Sequence, residues 1–158
     1  MDLNQFTQKS QEAVGTAQEI AIRHGHQQVD VEHLLSALAT QPNGLVTRLI
    51  ERTRANPGAY ARAIDEELDK LPKVSGPGAA PNQIVVTQRL NQTLVGAKDL
   101  ADSMNDEFIS VEHLFLKILE ETESTPAGRV NKAFGLSKDK VLGVLTDVRG
   151  SQRVTSQN

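Results

Sequence analysis

Asp30-Val31-Glu32-His33-Leu34-Leu35 returns almost unchanged as Ser110-Val111-Glu112-His113-Leu114-Phe115, shifted by 80 positions (111 − 31 = 80). At the same offset Thr7-Gln8-Lys9 falls on Thr87-Gln88-Arg89, Val14 on Leu94, Ala17 on Ala97, Ile20 on Leu100 and Ala21 on Ala101, with no gap between Thr7 and Leu35. The chain is a duplication. Two copies of one unit, unlike a long solenoid array, pack face to face as pseudo-symmetric halves of one domain. Function is expected on or between those halves.

Outward from Asp30 the pattern is helical. From Asn4 to His24 the residues Phe6, Ala13, Val14, Ala17, Ile20 and Ala21 recur at spacings of three and four, which predicts an amphipathic helix closed by Gly25 at C′. Asp30 is a good N-cap and Glu32 sits in the first turn, where the helix dipole favours a carboxylate. Leu34, Leu35 and Leu38 form the buried face of the second helix, Leu45 to Thr53 makes a third, and Asn56-Pro57 reads as N-cap and N1 of a fourth that runs to about Leu71 and buries Tyr60, Ile64 and Leu68. The run from Pro72 to Pro81, with its prolines at 72, 77 and 81 and glycines at 76 and 78, reads as the linker between halves. The second half repeats the plan, with helices at about Ile84–Met104, from Ser110 to about Glu121, from Thr125-Pro126 to Gly135 and from Ser137 to Gly150. The short Ile84-Val85-Val86 run fits a helix start better than a strand, and Ser151–Asn158 reads as a disordered tether. The expected fold class is all-α, two pseudo-twofold-related four-helix repeats with about eight helices: repeat one at 1–71, linker 72–83, repeat two at 84–150 and tail 151–158.

Composition narrows the chemistry. With 158 residues the chain can bury a core without covalent staples, and with no cysteine it holds neither disulfides nor thiolate metal sites. The first 25 residues carry Asp2, Lys9, Glu12 and Glu19 and no apolar run, so no signal peptide or membrane span is expected, and the chain reads as cytoplasmic. A net charge of −3 with interspersed signs argues against nucleic acid. Gly76 and Gly78 are not followed by the Lys-Ser or Lys-Thr of a phosphate loop. His24 and His26 lack the converging ligands that a metal needs. His33 and His113, one per half at equivalent positions, read as structural, since neither has an acid–base partner nearby in sequence. No catalytic residue and no metal site is expected. An apolar seam between the halves, rimmed by polar groups, is instead a common form of peptide-binding site.

Several words fit a known family. Phe6-Thr7-Gln8, the repeated Val-Glu-His-Leu, Leu71-Pro72-Lys73-Val74-Ser75-Gly76 and Asn105-Asp106-Glu107-Phe108-Ile109-Ser110 resemble the N-terminal domain of Clp-type AAA+ chaperones, and among these the ClpB-type disaggregases. Relatives of the ClpA and ClpC kinds usually carry Gly-Thr before Glu-His, where this chain has Asp30-Val31 and Ser110-Val111. The resemblance covers about residues 1–150. It implies a binding domain tethered to a homohexameric ATPase ring, with ATP and Mg in those modules and no cofactor here; the isolated domain would be monomeric. Its partners would be unfolded or aggregated polypeptides, and co-chaperones or adaptors. By position the family's engaged residues fall on Thr7, Asp106 and Glu112, with Leu90, Leu94, Phe108 and His113 as groove candidates. An alternative implied by ClpC-like relatives is a phosphoarginine reader that uses Thr7 with Glu32 and Thr87 with Glu112. A dock for a dedicated adaptor is a third.

Overall fold

The two copies of Val-Glu-His-Leu open the two most deeply buried helices. In the computed structural model, which describes residues 2–73 and 84–158, α2 (Val31–Thr40) buries Val31 through Ala39 and α6 (Val111–Ile118) buries every residue except Lys117. Each begins with the same reciprocal cap. The backbone N–H of Asp30 donates to His33 Nδ1 at 2.9 Å and that of Ser110 to His113 Nδ1 at 2.8 Å, so a histidine at N3 takes the place of the usual Glu or Gln.

Around this central pair lie α1 (Gln8–Arg23), α3 (Leu45–Arg52) and α4 (Pro57–Asp69) of the first repeat, and α5 (Gln88–Ser103), α7 (Pro126–Ala133) and α8 (Lys138–Arg149) of the second. That makes eight α-helices among the described residues. Their starts follow local chemistry: Thr7, Thr87, Asn56, Thr125 and Ser137 each accept an N–H of their own first turn, with Pro57 and Pro126 in the first turn behind two of them. Gly25 follows α1 with φ of 72°, as expected of a C′ glycine. Tyr60 on α4 is fully buried, stands edge-on to Phe134 and donates its hydroxyl to Asn131 of α7, tying the repeats together at one end.

The halves also interlock through their backbones. Two short strands, β1 (Gln28–Val29) and β2 (Val85–Val86), pair in parallel with Gln28 opposite Val85 and Val29 opposite Val86. Phe6 bridges Ile109 in the same sense. Since 6 + 80 = 86 and 109 − 80 = 29, the second pairing is the first seen through the pseudo-twofold. Thr87 N–H donates to Val29 C=O at 3.1 Å, and Thr7 N–H to Ile109 C=O at 2.9 Å.

Three expectations change. Val85-Val86 is strand, and α5 starts only at Gln88, because β1 claims these backbone groups and β-branched valines suit extended chain. The α6 helix stops at Ile118, short of Glu121. Residues 151–158 fold back onto the domain: Glu107 N–H donates to Val154 C=O and Gln8 N–H to Gln157 C=O, both at 2.7 Å, so a polar segment expected to be disordered finds backbone partners. Most of the expected linker, residues 74–83, lies outside the described residues.

Candidate functional site

An apolar groove is lined by residues of both α1 and α5. Its floor is Phe6, Val29 and Val86, the residues of the two backbone pairings, and its walls are Val14 of α1 and Leu90 and Leu94 of α5, with Leu3 at one lip. The enclosed volume is about 110 Å³, small enough for one or two side chains. Leu3, at the lip, is 54% exposed, so the apolar lining reaches the surface there. Scattered exposed leucines are ordinary, whereas a cluster on a concavity marks a contact surface.

Of the residues expected to bind substrate, the groove gathers Leu90 and Leu94. Leu3, Phe6, Val14, Val29 and Val86 were not anticipated; the one sequence signal for them was that Val14 and Leu94 are equivalent positions of the two repeats. The others sit elsewhere. The Thr7 hydroxyl is buried, accepts Ser10 N–H and shares a hydrogen bond with Ser10 Oγ. Phe108 is half-buried in the loop before α6. Asp106 and His113 are buried against each other: His113 Nδ1 accepts the Ser110 N–H, which puts its proton on Nε2, and Nε2–H donates to Asp106 Oδ2 at 2.7 Å. The other Asp106 oxygen accepts from Arg149 and from Val154 N–H. Glu112 is buried too, and its Oε1 has no hydrogen-bond partner among the described residues.

Its counterpart Glu32 is fully engaged. The Arg89 guanidinium clamps both Glu32 oxygens, Nη1 to Oε1 at 2.9 Å and Nη2 to Oε2 at 2.5 Å, while Nε reaches Glu121 at 2.9 Å and Nη1 lies 3.1 Å from Asp30. Burial disfavours the charged guanidinium, but Glu32, Glu121 and Asp30 together outweigh it and raise the Arg89 pKa. Glu32 also accepts Ala127 N–H at the start of α7, 3.0 Å away. In the other half Lys9 stands for Arg89 and Gln41 for Glu121, and Lys9 turns out to the exposed Glu12 at 3.8 Å. The threonine pairing is crossed as well. Thr87 donates to Asp30 of the first repeat at 2.7 Å and Thr7 lines a cleft with Ser110 and Val111 of the second, so Thr87 belongs with Glu32 and Thr7 with the second repeat, the reverse of the sequence expectation. The pseudo-twofold exchanges partners between the halves.

With this geometry in hand, the likeness to known proteins is specific. The chain matches the Clp repeat (R) N-terminal domain over residues 5–134. It belongs to the Clp N-terminal domain family. This Clp N-terminal domain is 58% identical to the chaperone protein ClpB of Nitratidesulfovibrio vulgaris over 158 residues and 42% identical to ClpB of Bacillus cereus over 161. All of the chain is covered in both matches, but only 18% of each relative, so it spans under a fifth of their length. The Hsp104 N-terminal domain from Candida albicans superposes with a TM-score of 0.81 at 25% identity, covering 97% of both chains. The N-domain of ClpV from Vibrio cholerae shares the fold at a TM-score of 0.76 and 16% identity, covering 92% of this chain and 86% of that one. The ClpB-type resemblance and the double four-helix fold both stand.

One buried histidine of the Clp N-terminal domain makes its stability depend on pH. His33 Nε2 faces His26 Nδ1 at 2.9 Å inside the domain, and burial, then the neighbouring His26, lower the His33 pKa to about 4. The unfolded chain takes a proton at about 6.5 and the folded chain only near 4, so across that interval protonation favours unfolding. Stability should fall by about 3 kcal/mol as pH drops from 7 to 4, at roughly 1.4 kcal/mol per pH unit. Urea midpoints across that range, and the imidazole shifts of His33 followed by NMR, measure it; a His33 resonance that titrates near 6.5 would refute the assignment. Among the described residues no three His, Asp or Glu side chains converge as a metal site requires, and no helix is long and apolar enough to cross a membrane.

Proposed function

We propose that this chain is the substrate-engaging N-terminal domain of an ATP-dependent protein disaggregase, binding unfolded or aggregated polypeptide in the apolar groove between α1 and α5. The observation that carries the reading is the groove itself, walled by Leu90 and Leu94 and opening at the exposed Leu3. Apolar walls accept exposed hydrophobic segments without reading their order, which suits a first contact with misfolded chains. Binding is weak, because ordering a floppy ligand consumes several kcal/mol of the interaction. Six copies tethered to one hexameric ring would restore it through avidity. Chemistry on nucleotide belongs to ATPase modules outside this chain, and the domain acts by binding.

Titration of the domain with a permanently unfolded, hydrophobic polypeptide tests this. Amide shifts should gather at Leu3, Val14, Val86, Leu90 and Leu94. Leu3→Ser, at a position too exposed to threaten folding, and Leu94→Gln, checked by its melting curve, should each weaken binding about tenfold, the scale of one leucine side chain removed from an apolar contact. No shift at millimolar ligand would exclude direct engagement.

A phosphoarginine reader is the second reading, favoured at one site only. Glu112 has a buried oxygen, without a partner among the described residues, that a guanidinium could satisfy. At Glu32 the domain's own Arg89 already fills that role. In the same spectrometer, saturable shifts on added phosphoarginine at Glu112 and Thr7, with none at Glu32, would support it. A stoichiometric protein partner recovered intact would point to an adaptor dock instead.

A further inference from the structure

We propose that residues 151–158 form a releasable strap, which docks as extended chain across the N-terminus of α1 and, by pivoting at Gly150, opens the cleft beneath it. The strap is held at two points. Val154 uses both backbone groups, its N–H on Asp106 Oδ1 at 2.8 Å and its C=O on Glu107 N–H at 2.7 Å. Three residues further on, Gln157 C=O accepts Gln8 N–H at 2.7 Å while its side-chain amide donates to Asn4 C=O at 2.7 Å. Gln8 is the first residue of α1, whose N–H has no acceptor within its own helix. Val154 and Gln157 are half-buried and the other strap residues are exposed.

This attachment is built to let go. The gain from a few hydrogen bonds and one half-buried valine does not exceed the entropy of ordering eight residues by a wide margin, so docked and released forms lie close in free energy. Release strands no charge, because Asp106 keeps Arg149 and His113 when Val154 leaves. The pivot is prepared as well. Gly150 lies at φ 60° and ψ −128°, a conformation open in practice only to glycine, with nothing within 4 Å of where a Cβ would stand. Beneath the strap is a cleft of about 390 Å³ floored by Thr7, Lys9, Arg48 and Ser110. Strap residues Arg153 to Ser156 and Asn158 supply part of its lining, the rest coming from Gln41, from Asn43 to Leu45 and from Val111, so their departure widens the cleft. Asp106, expected from the sequence to touch substrate, is on this reading the positioning residue for the strap.

Native-state hydrogen exchange on the chain reads the strap directly. Gln88, the counterpart of Gln8, opens α5 with no backbone acceptor for its N–H among the described residues. After correction for intrinsic rates, the amides of Gln8 and Glu107 should exchange about tenfold more slowly than that of Gln88. Val154→Pro removes the donor to Asp106 and should bring both to the Gln88 rate, with α2 amides unchanged; Gly150→Ala, strained at its pivot, should act in the same direction. Equal rates at Gln8 and Gln88 in the unaltered chain would overturn the proposal. So would a Val154→Pro variant that leaves both amides slow.

Discussion

Arg89→Ala is expected to cost the domain about 3–5 kcal/mol, the range for removing one partner from a buried ion pair. The guanidinium binds three carboxylates from one helix, its cap and one loop: Asp30 at the cap of α2, Glu32 within α2, and Glu121 after α6. Glu32 is 4% exposed and would keep only the Ala127 N–H, leaving a buried negative charge almost uncompensated. At roughly 2–4 °C per kcal/mol for a chain of this size, melting should fall by about 10 °C or more. Arg89→Lys should lie between, since an ammonium restores charge but not the two-pronged grip on Glu32. Urea denaturation at neutral pH and constant m-value measures the loss. A cost below about 1 kcal/mol, the level of a surface pair, would mean that water or a proton neutralises Glu32 and that the clamp holds little.

Asp106→Ala should be of similar size, about 3–5 kcal/mol, because it removes the only carboxylate paired with Arg149 among the described residues and the buried acceptor of His113 Nε2–H. The pH dependence separates this carboxylate from a passive packing residue. Burial alone would raise its pKa, but the Val154 N–H, His113 and Arg149 outweigh burial and hold it below the ordinary 3.8. A carboxylate with a depressed folded pKa contributes stability that is present above the unfolded value and lost as pH falls through the folded one. The unaltered domain should therefore lose stability in a step below pH 3.8, distinct from the His33 loss between 6.5 and 4, and Asp106→Ala should lack the lower step alone. If the lower step survives the substitution, another carboxylate carries it.

What could be read from the chain alone was whatever rests on neighbours in sequence. Asp30, Asn56-Pro57, Thr125-Pro126 and Ser137 announce helix starts, because a cap needs only its own first turn. Leu90 and Leu94 could be assigned to a groove through the resemblance. Hidden were the features whose partners lie in the other repeat. Val85-Val86 has no strand pattern of its own, being two residues whose ladder comes from Gln28-Val29, 57 positions away (85 − 28 = 57). The duplication showed that Thr7 and Thr87 are equivalent, and that Glu32 and Glu112 are, but it could not show that partners are exchanged across the axis, since both arrangements obey the same offset. Nor does the Asp106 and His113 spacing reveal whether a carboxylate faces solvent or a buried histidine.

Those exchanged pairings bear on how the domain comes to exist at all. Phe6 closes on Ile109 and Gln28 on Val85, so each repeat completes its lead-in only with backbone supplied by the other. Neither half, separated, would hold a full set of hydrogen-bonded chain, and such long loops must close before the ladders reward them. The reverse also follows. None of the crossing bonds depends on the peptide link between Lys73 and Ile84, so a domain cut there would remain one body, two fragments each serving as the other's template. A duplication that began as two like units has become a pair that cannot be divorced.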